Sequence, residues 1–88
     1  MIEEDVMYDE QETTETRFIG ILGQVGRYDL AITKSTHFFG KSLVTNLTNG
    51  RSGVLDREDC ENVELLMHVF HVNVEEASEL SAILPDCV

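Results

Sequence analysis

The hydrophobic pattern of the chain changes its period once, at Leu55, and this change constrains the fold more than any other feature. Before Leu55, short β-prone runs are separated by breaks that contain glycine, whereas after Asp56 apolar residues recur at helical spacing. A period of two is typical of strands, and a period of about 3.6 is typical of helices. The sequence therefore predicts strands first and helices second, in an α+β fold.

Four strands are predicted in the first part of the chain, over residues 17–22, 27–33, 42–48 and 51–55. The dipeptide Asn49-Gly50 favours a two-residue type I′ turn, so the last two strands should form a hairpin. In the second strand, alternation should place Tyr28, Leu30 and Ile32 on an apolar sheet face. The intervening residues should lie on a partly wet face, and they are Arg27, Asp29, Ala31 and Thr33.

Two helices are predicted after Leu55. Asp56 suits the N-cap of a helix over 57–71, and Asn73 with Glu76 is an N-cap signature for a second helix over 74–84. Pro85 prevents further extension. We therefore expect an antiparallel four-stranded sheet followed by two C-terminal helices packed on one face.

Charge divides the chain into three blocks. Residues 1–16 carry seven acids and no base, residues 17–57 carry six bases and two acids, and residues 58–88 carry eight acids and no base. The formal net charge is −11. We expect residues 1–16 to be a flexible acidic arm, with a helical turn over 2–7, and residues 17–88 to be a single α+β domain.

The expected cellular compartment follows from the lack of a membrane-spanning run and of a signal-peptide pattern in the sequence. No apolar run approaches the roughly 18 residues of a membrane span, and acids stand where a signal peptide would carry bases. We expect a cytoplasmic protein without membrane association. Cys60 and Cys87 are expected to be reduced thiols, with one disulfide as the alternative.

The central cations suggest one candidate site. If Arg27, Lys41 and Arg51 share the exposed sheet face, they form an anion-binding or nucleic-acid-binding surface, with a stacking platform from Tyr8 or from Phe38 and Phe39. If both phenylalanines are exposed, they mark a partner site. Scattered cations also protect strand edges, and a charge of −11 opposes polyanion binding. We therefore do not favour nucleic acid as a partner. The acidic arm could instead cover these cations, within one chain or between two.

A second candidate is a polar stripe on the first helix. Glu64, His68 and His71 follow at spacings of four and three, one turn after Cys60, and could converge on a divalent metal. No HExxH motif is present, and a solvated stripe explains the same residues, so we expect no metal and no cofactor. GxSxG, P-loop and GxGxxG motifs are also absent, and no third group orients Cys60 with a histidine. We expect no catalysis.

The first helix has a wider apolar arc than one sheet face needs. Leu65 and Val69 widen the core stripe, which consists of Val63, Leu66, Met67 and Phe70. The second helix or another subunit must cover the excess. We therefore hypothesise a non-enzymatic protein-interaction or regulatory module that forms a homodimer through Leu65 and Val69.

Short strings along the chain carry a family resemblance. They are Arg17-Phe18-Ile19-Gly20, Arg27-Tyr28-Asp29, Phe38-Phe39-Gly40-Lys41, Gly50-Arg51-Ser52, Leu55-Asp56 and Glu61-Asn62-Val63-Glu64. Over residues 8–84 the chain resembles a family of small acidic uncharacterised cytosolic proteins of Gram-positive bacteria, the bacilli and staphylococci. The resemblance implies a bacterial cytosolic protein and supplies no catalytic residues.

Overall fold

In the computed structural model, which describes residues 5–88, three α-helices cover one face of a four-stranded antiparallel sheet. The strands are β1 (Glu15–Leu22), β2 (Arg27–Lys34), β3 (Ser42–Asn46) and β4 (Arg51–Leu55). The helices are α1 (Arg57–Cys60), α2 (Val63–Phe70) and α3 (Val74–Ile83), and 3₁₀ helices span Thr36–Phe38 and Leu84–Asp86. The predicted α+β class is confirmed.

The N-terminal arm was expected over residues 1–16. Its first four residues lie outside the described residues, and so does part of the helical turn expected over 2–7. Residues 5–7 contain no helix. Because β1 begins at Glu15, the last two residues of the expected arm belong to the sheet.

The sheet is a meander in the order β1-β2-β3-β4, so β1 and β4 are its edges. The predicted hairpin of the last two strands is present, but its loop has four residues because β3 ends at Asn46, which pairs with Arg51. Asn46 Oδ1 accepts a hydrogen bond from Thr48 N at 3.1 Å, and Asn49 Oδ1 accepts one from Arg51 N at 3.0 Å. These bonds support the longer loop, in which Gly50 has a φ of 75°. The two-residue turn was therefore a wrong prediction.

The first predicted helix, over 57–71, is divided in two. Asn62 lies between α1 and α2 with an extended backbone, and its side chain accepts a hydrogen bond from Leu65 N at 3.1 Å. A residue that caps a new helix in this way cannot continue the preceding one, because its backbone leaves the helical region. The continuous period from Asp56 to His71 hid this break.

The second predicted helix corresponds to α3. Its capping box is formed by Asn73 Oδ1, which accepts from Glu76 N at 2.8 Å, and by Glu76 Oε1, which accepts from Asn73 N at 3.2 Å. The chain then tightens into the 3₁₀ helix that contains Pro85. Within residues 5–88, no helix combines the length and apolar character needed to cross a membrane.

The core lies between the helices and one face of the sheet. Tyr28, Leu30 and Ile32 of β2 are each at most 3% exposed, as their alternation predicted. They pack with buried residues from the other strands and the helices, namely Val44, Leu55, Cys60, Leu66, Phe70, Ala77, Leu80 and Leu84. The apolar faces of strands and helices thus meet in one core.

Close packing joins α2 to β4. A Cβ atom built on Gly53 would lie 2.7 Å from Val69 Cγ1, so this position has no room for a side chain. Val69 therefore packs against the sheet of its own chain, and the half-buried Leu65 packs against the same core. These contacts occupy part of the apolar arc that was expected to meet a second subunit.

The carboxylate of Glu79 in α3 fastens the β1–β2 hairpin to the helices. Glu79 Oε2 accepts a hydrogen bond from Gln24 N at 2.7 Å, and both carboxylate oxygens lie 3.3 Å from Val25 N. Glu79 Oε1 also accepts from Gly26 N at 3.3 Å and from the Tyr28 hydroxyl at 2.7 Å. Three consecutive amides and one phenol thus take the place of water around a single carboxylate.

The environment of this carboxylate favours its ionised form. The Tyr28 hydroxyl, followed by the amides of Gln24, Val25 and Gly26, holds the pKa of Glu79 below its usual value of 4.5. Burial, followed by the hydrogen bond to Glu79, raises the pKa of Tyr28. A carboxylate whose pKa is lower in the folded state stabilises the fold above its unfolded pKa, and that contribution is lost as the pH falls through the folded pKa. The anchor is therefore intact at neutral pH.

We expect the Glu79→Gln variant to have a lower Tm than the wild type at about pH 7, because an amide cannot replace a carboxylate that accepts from four donors. The difference should narrow as the pH falls through the lowered pKa of Glu79, because protonation of the carboxylate weakens the same bonds in the wild type. Thermal unfolding followed by circular dichroism over a range of pH measures this difference in Tm. Glu75→Gln, at an exposed position of the same helix, is the matched control. Equal losses of Tm in the two variants would contradict the anchor.

We expect Gly53→Ala to destabilise the fold by about 1–3 kcal/mol, which is the usual cost of overpacking a core. The added methyl group meets Val69 Cγ1. Since Val69→Ala removes that group, the double variant should be more stable than the sum of the two single losses implies. Urea unfolding of the four proteins gives this coupling energy. Strictly additive losses would show that α2 does not press on Gly53.

Candidate functional site

The helices leave one sheet face uncovered, and we call it the open face. No helix or strand of residues 5–88 packs over it. Strand alternation and the pairing register assign to this face Thr16, Phe18, Gly20, Leu22, Arg27, Asp29, Ala31, Thr33, Leu43, Thr45, Ser52 and Val54. Most of these residues are apolar or carry a small hydroxyl group. The face predicted to be partly wet is therefore uncovered and largely uncharged.

The open face carries no net charge. Its charged residues are Arg27 and Asp29, and they pair with each other, with Arg27 Nε 3.3 Å from the Asp29 carboxylate. The whole chain has a formal charge of −11. Copies of such a chain repel one another, and the repulsion is weakest where carboxylates are fewest. The open face is therefore well suited to approach another protein surface.

Exposed apolar groups and a free strand edge coincide on β1. Phe18 and Leu22 are 73% and 87% exposed, and both lie on the open face. β1 pairs with β2 without interruption over all eight residues, and no strand of residues 5–88 pairs with its other side. An edge strand leaves alternate backbone N–H and C=O groups free to pair with another chain. We take β1 as the candidate functional site.

The predicted cationic surface is not formed. Arg27 lies on the open face, whereas Arg51 lies on the opposite side of the sheet, since it pairs with Asn46. Lys41 precedes β3, and its Nζ lies 3.1 Å from Asp59 and 3.7 Å from Asp56. Asp59, followed by Asp56, raises the pKa of Lys41. Because the structure does not bring the three cations together, the condition for an anion-binding face is not met.

The two adjacent aromatic residues, Phe38 and Phe39, differ in their exposure to solvent. Phe38 is half-buried at the end of the first 3₁₀ helix, and Phe39 is 92% exposed with a φ of 54°. Both lie on the connection between β2 and β3 rather than on the open face. They therefore do not supply a stacking platform beside Arg27.

The polar stripe of the first predicted helix lines a shallow groove. Glu64, His68 and His71 lie there with Arg51, above apolar residues that include Val63, Met67, Val72 and Val74. Among residues 5–88, no three or more His, Cys, Asp or Glu side chains are arranged to hold a metal ion. Cys60 is buried in the core, away from this stripe.

The two cysteines are free thiols with different surroundings. Cys60 is fully buried, and its burial, followed by the charges of Asp59 and Asp56, raises its pKa to about 11. Cys87 is half-buried, with its Sγ 3.5 Å from the Ile83 carbonyl. Since the thiolate is the reactive form, Cys60 is a poor nucleophile in the folded protein.

We expect one thiol of the folded protein, that of Cys87, to react promptly with an aromatic disulfide reagent at about pH 8, because Cys60 is both buried and protonated there. Absorbance of the released thiolate counts the reacting groups. Both cysteines should react after denaturation, and Cys87→Ser should remove the prompt phase. Prompt reaction of two thiols in the folded protein would contradict this assignment.

Sequence patterns missed two contacts of carboxylates. Glu79 reaches the β1–β2 loop across more than 50 positions of sequence. Glu10 and Glu12 of the arm flank His37, at separations of 27 and 25 positions. Pairing across such separations leaves no periodic signal in the sequence, so neither contact could be found before the fold was known.

The comparisons with known proteins establish a family. The family described as SAV0927-like matches residues 7–86. The chain belongs to the SAV0927-like family. This description names no activity, ligand or partner, which agrees with the resemblance to an uncharacterised bacterial family. No curated protein matches the sequence. The family match thus covers every strand and helix described above, and leaves function to be argued from the surface.

Proposed function

We propose that the chain is a non-enzymatic, cytosolic protein-interaction module that forms a homodimer through β1. The observation that carries this proposal is the coincidence, on one strand, of a free edge and the exposed side chains of Phe18 and Leu22. Antiparallel pairing of two such edges around a two-fold axis would extend the sheet across the dimer.

A specific register suits the sequence of β1. If the two-fold axis passes by Ile19, Phe18 of one copy lies opposite Gly20 of the other, on the open face. An aromatic ring packs well over a cross-strand glycine, which has no side chain to meet it. The dimer would thus cover part of each exposed Phe18 ring without displacing another side chain.

The charge pattern also favours this edge. Residues 16–28 contain two arginines and no acid, although the chain contains 17 acids. In the register centred on Ile19, Glu15 of one copy would lie opposite Gly23 of the other, so that no carboxylates face each other. An interface of one strand pair is small, so we expect a weak and reversible dimer.

The other candidate interaction surfaces have less support than β1. Leu65 and Val69 were the first candidates for self-association, but both pack against the core of their own chain. Their side chains are half-buried, whereas Phe18 and Leu22 are mostly exposed. The alternative of an anion-binding face loses its support because Arg27, Lys41 and Arg51 lie in different places.

The test compares two phenylalanine substitutions. We expect Phe18→Glu to abolish the dimer, because the new carboxylates would approach each other across the axis. Phe39→Glu is the matched control, with the same chemical change at an exposed site outside the sheet. Sedimentation velocity measures the oligomeric state of the wild type and of both variants from about 1 μM to about 1 mM, the range in which weak dimers dissociate.

Each result separates the candidate surfaces. A wild-type dimer that survives Phe39→Glu and is lost in Phe18→Glu supports pairing through β1. Loss in Phe39→Glu alone would place the interface on the β2–β3 connection. A dimer insensitive to both changes would return attention to Leu65 and Val69, and a wild-type monomer at every concentration would refute self-association.

A further inference from the structure

Two carboxylates of the N-terminal segment enclose one histidine. His37 Nδ1 lies 2.5 Å from Glu12 Oε1, and His37 Nε2 lies 3.0 Å from Glu10 Oε2. Glu12 Oε1 also accepts a hydrogen bond from the Ser35 hydroxyl, and Ser35 Oγ accepts from His37 N at 3.0 Å. The segment is thereby attached to the first 3₁₀ helix, beyond the end of β2.

The protonation state of His37 can be inferred from the number of N–H donors that its two contacts need. A neutral imidazole has one N–H donor and one bare nitrogen lone pair, whereas the imidazolium has two N–H donors. An ionised carboxylate cannot donate to a bare nitrogen. Contacts of Glu10 and Glu12 with both ring nitrogens at once therefore require the imidazolium form of His37.

We propose that His37 is a proton-dependent clasp, which holds the acidic segment through Glu10 and Glu12 and releases Glu10 when the imidazolium loses a proton. This inference does not rest on dimer formation. It assigns to His37 control over the attachment of a segment rather than a role in binding a ligand.

Glu10 is the contact that deprotonation breaks first. Glu12 is held by Ser35 as well as by His37 Nδ1, and its side chain is 31% exposed, whereas that of Glu10 is 60% exposed. The neutral tautomer that keeps a proton on Nδ1 preserves the Glu12 bond and leaves Nε2 bare. Residues 5–9 then lose this attachment, and they include Val6, Met7 and Tyr8, whose side chains are exposed.

The surrounding charges support this order of events. Glu12, followed by Glu10, raises the pKa of His37 above 6.5, and Ser35, followed by His37, lowers the pKa of Glu12 below 4.5. The cations Lys34 and Lys41 line the pocket beside Glu12. Lys41 is paired with Asp59 and Asp56.

The directions of the pKa shifts of His37 and Glu12 define the pH range in which the clasp is closed. A histidine with a raised pKa contributes to stability below its unfolded pKa, and the contribution is lost as the pH rises through the folded value. A carboxylate with a lowered pKa loses its contribution as the pH falls through the folded value. The clasp is therefore closed between the lowered pKa of Glu12 and the raised pKa of His37, and it opens on the alkaline side.

The test is an NMR pH titration of the full chain, in which the ring signals of His37, His68 and His71 are followed separately. Glu10→Gln and Glu12→Gln should each shift the titration of His37 to lower pH and leave the other two histidines unchanged. The backbone amide of Glu10 should move with the midpoint of His37. In His37→Ala, that amide should show no transition near this pH.

Two results would overturn the clasp. One is a titration midpoint of His37 that neither Glu10→Gln nor Glu12→Gln alters. The other is a Glu10 amide signal that does not shift at the pH where His37 titrates. His37 is exposed on a short 3₁₀ helix, so the alanine variant is expected to fold, and unchanged spectra of the core confirm it. Because the readout is local, it does not depend on whether the chain dimerises.

Discussion

The hydrogen bonds from the β1–β2 hairpin to Glu79 determine how the two layers are joined. α2 packs directly on β4 at one edge of the sheet, where Val69 meets Gly53. At the other edge, the carboxylate of Glu79 gathers the loop amides of residues 24–26 and the Tyr28 hydroxyl. This contact also leaves no room for a side chain at Gly23, where a Cβ would lie 2.0 Å from Glu79 Oε1. The orientation of β1, and hence of its free edge, depends on this anchor.

Local patterns predicted the elements of the fold well, because each depends on residues close in sequence. The alternation of Tyr28, Leu30 and Ile32 gave the buried face of β2, and Asn73 with Glu76 gave the start of α3. The break at Asn62 was missed because the apolar period runs through it, and a cap is visible only when the backbone is seen to turn. The longer β3–β4 loop was missed for a similar reason, since side-chain bonds rather than the Asn49-Gly50 dipeptide set its length.

The candidate site was harder to predict than the fold. The excess of apolar surface was recognised in the sequence but was placed on the first helix, through Leu65 and Val69. Periodicity cannot show that a glycine at position 53 lets α2 approach closely enough to bury much of that excess. Nor can it show which strand becomes an edge, because strand order depends on the whole sheet. Phe18 and Leu22 are exposed because they lie on the open face of an edge strand, and so their exposure became visible only with the topology.

The Glu79 anchor also has a consequence for biosynthesis. Tyr28 is translated 51 residues before the carboxylate that it binds. At typical elongation rates, about 3 to 10 s pass between the two. The β1–β2 hairpin therefore cannot be secured to the helices until α3 has been synthesised. Since α2, which packs on β4, is made before α3, the edge of the sheet at β4 can be covered before the edge at β1 is secured.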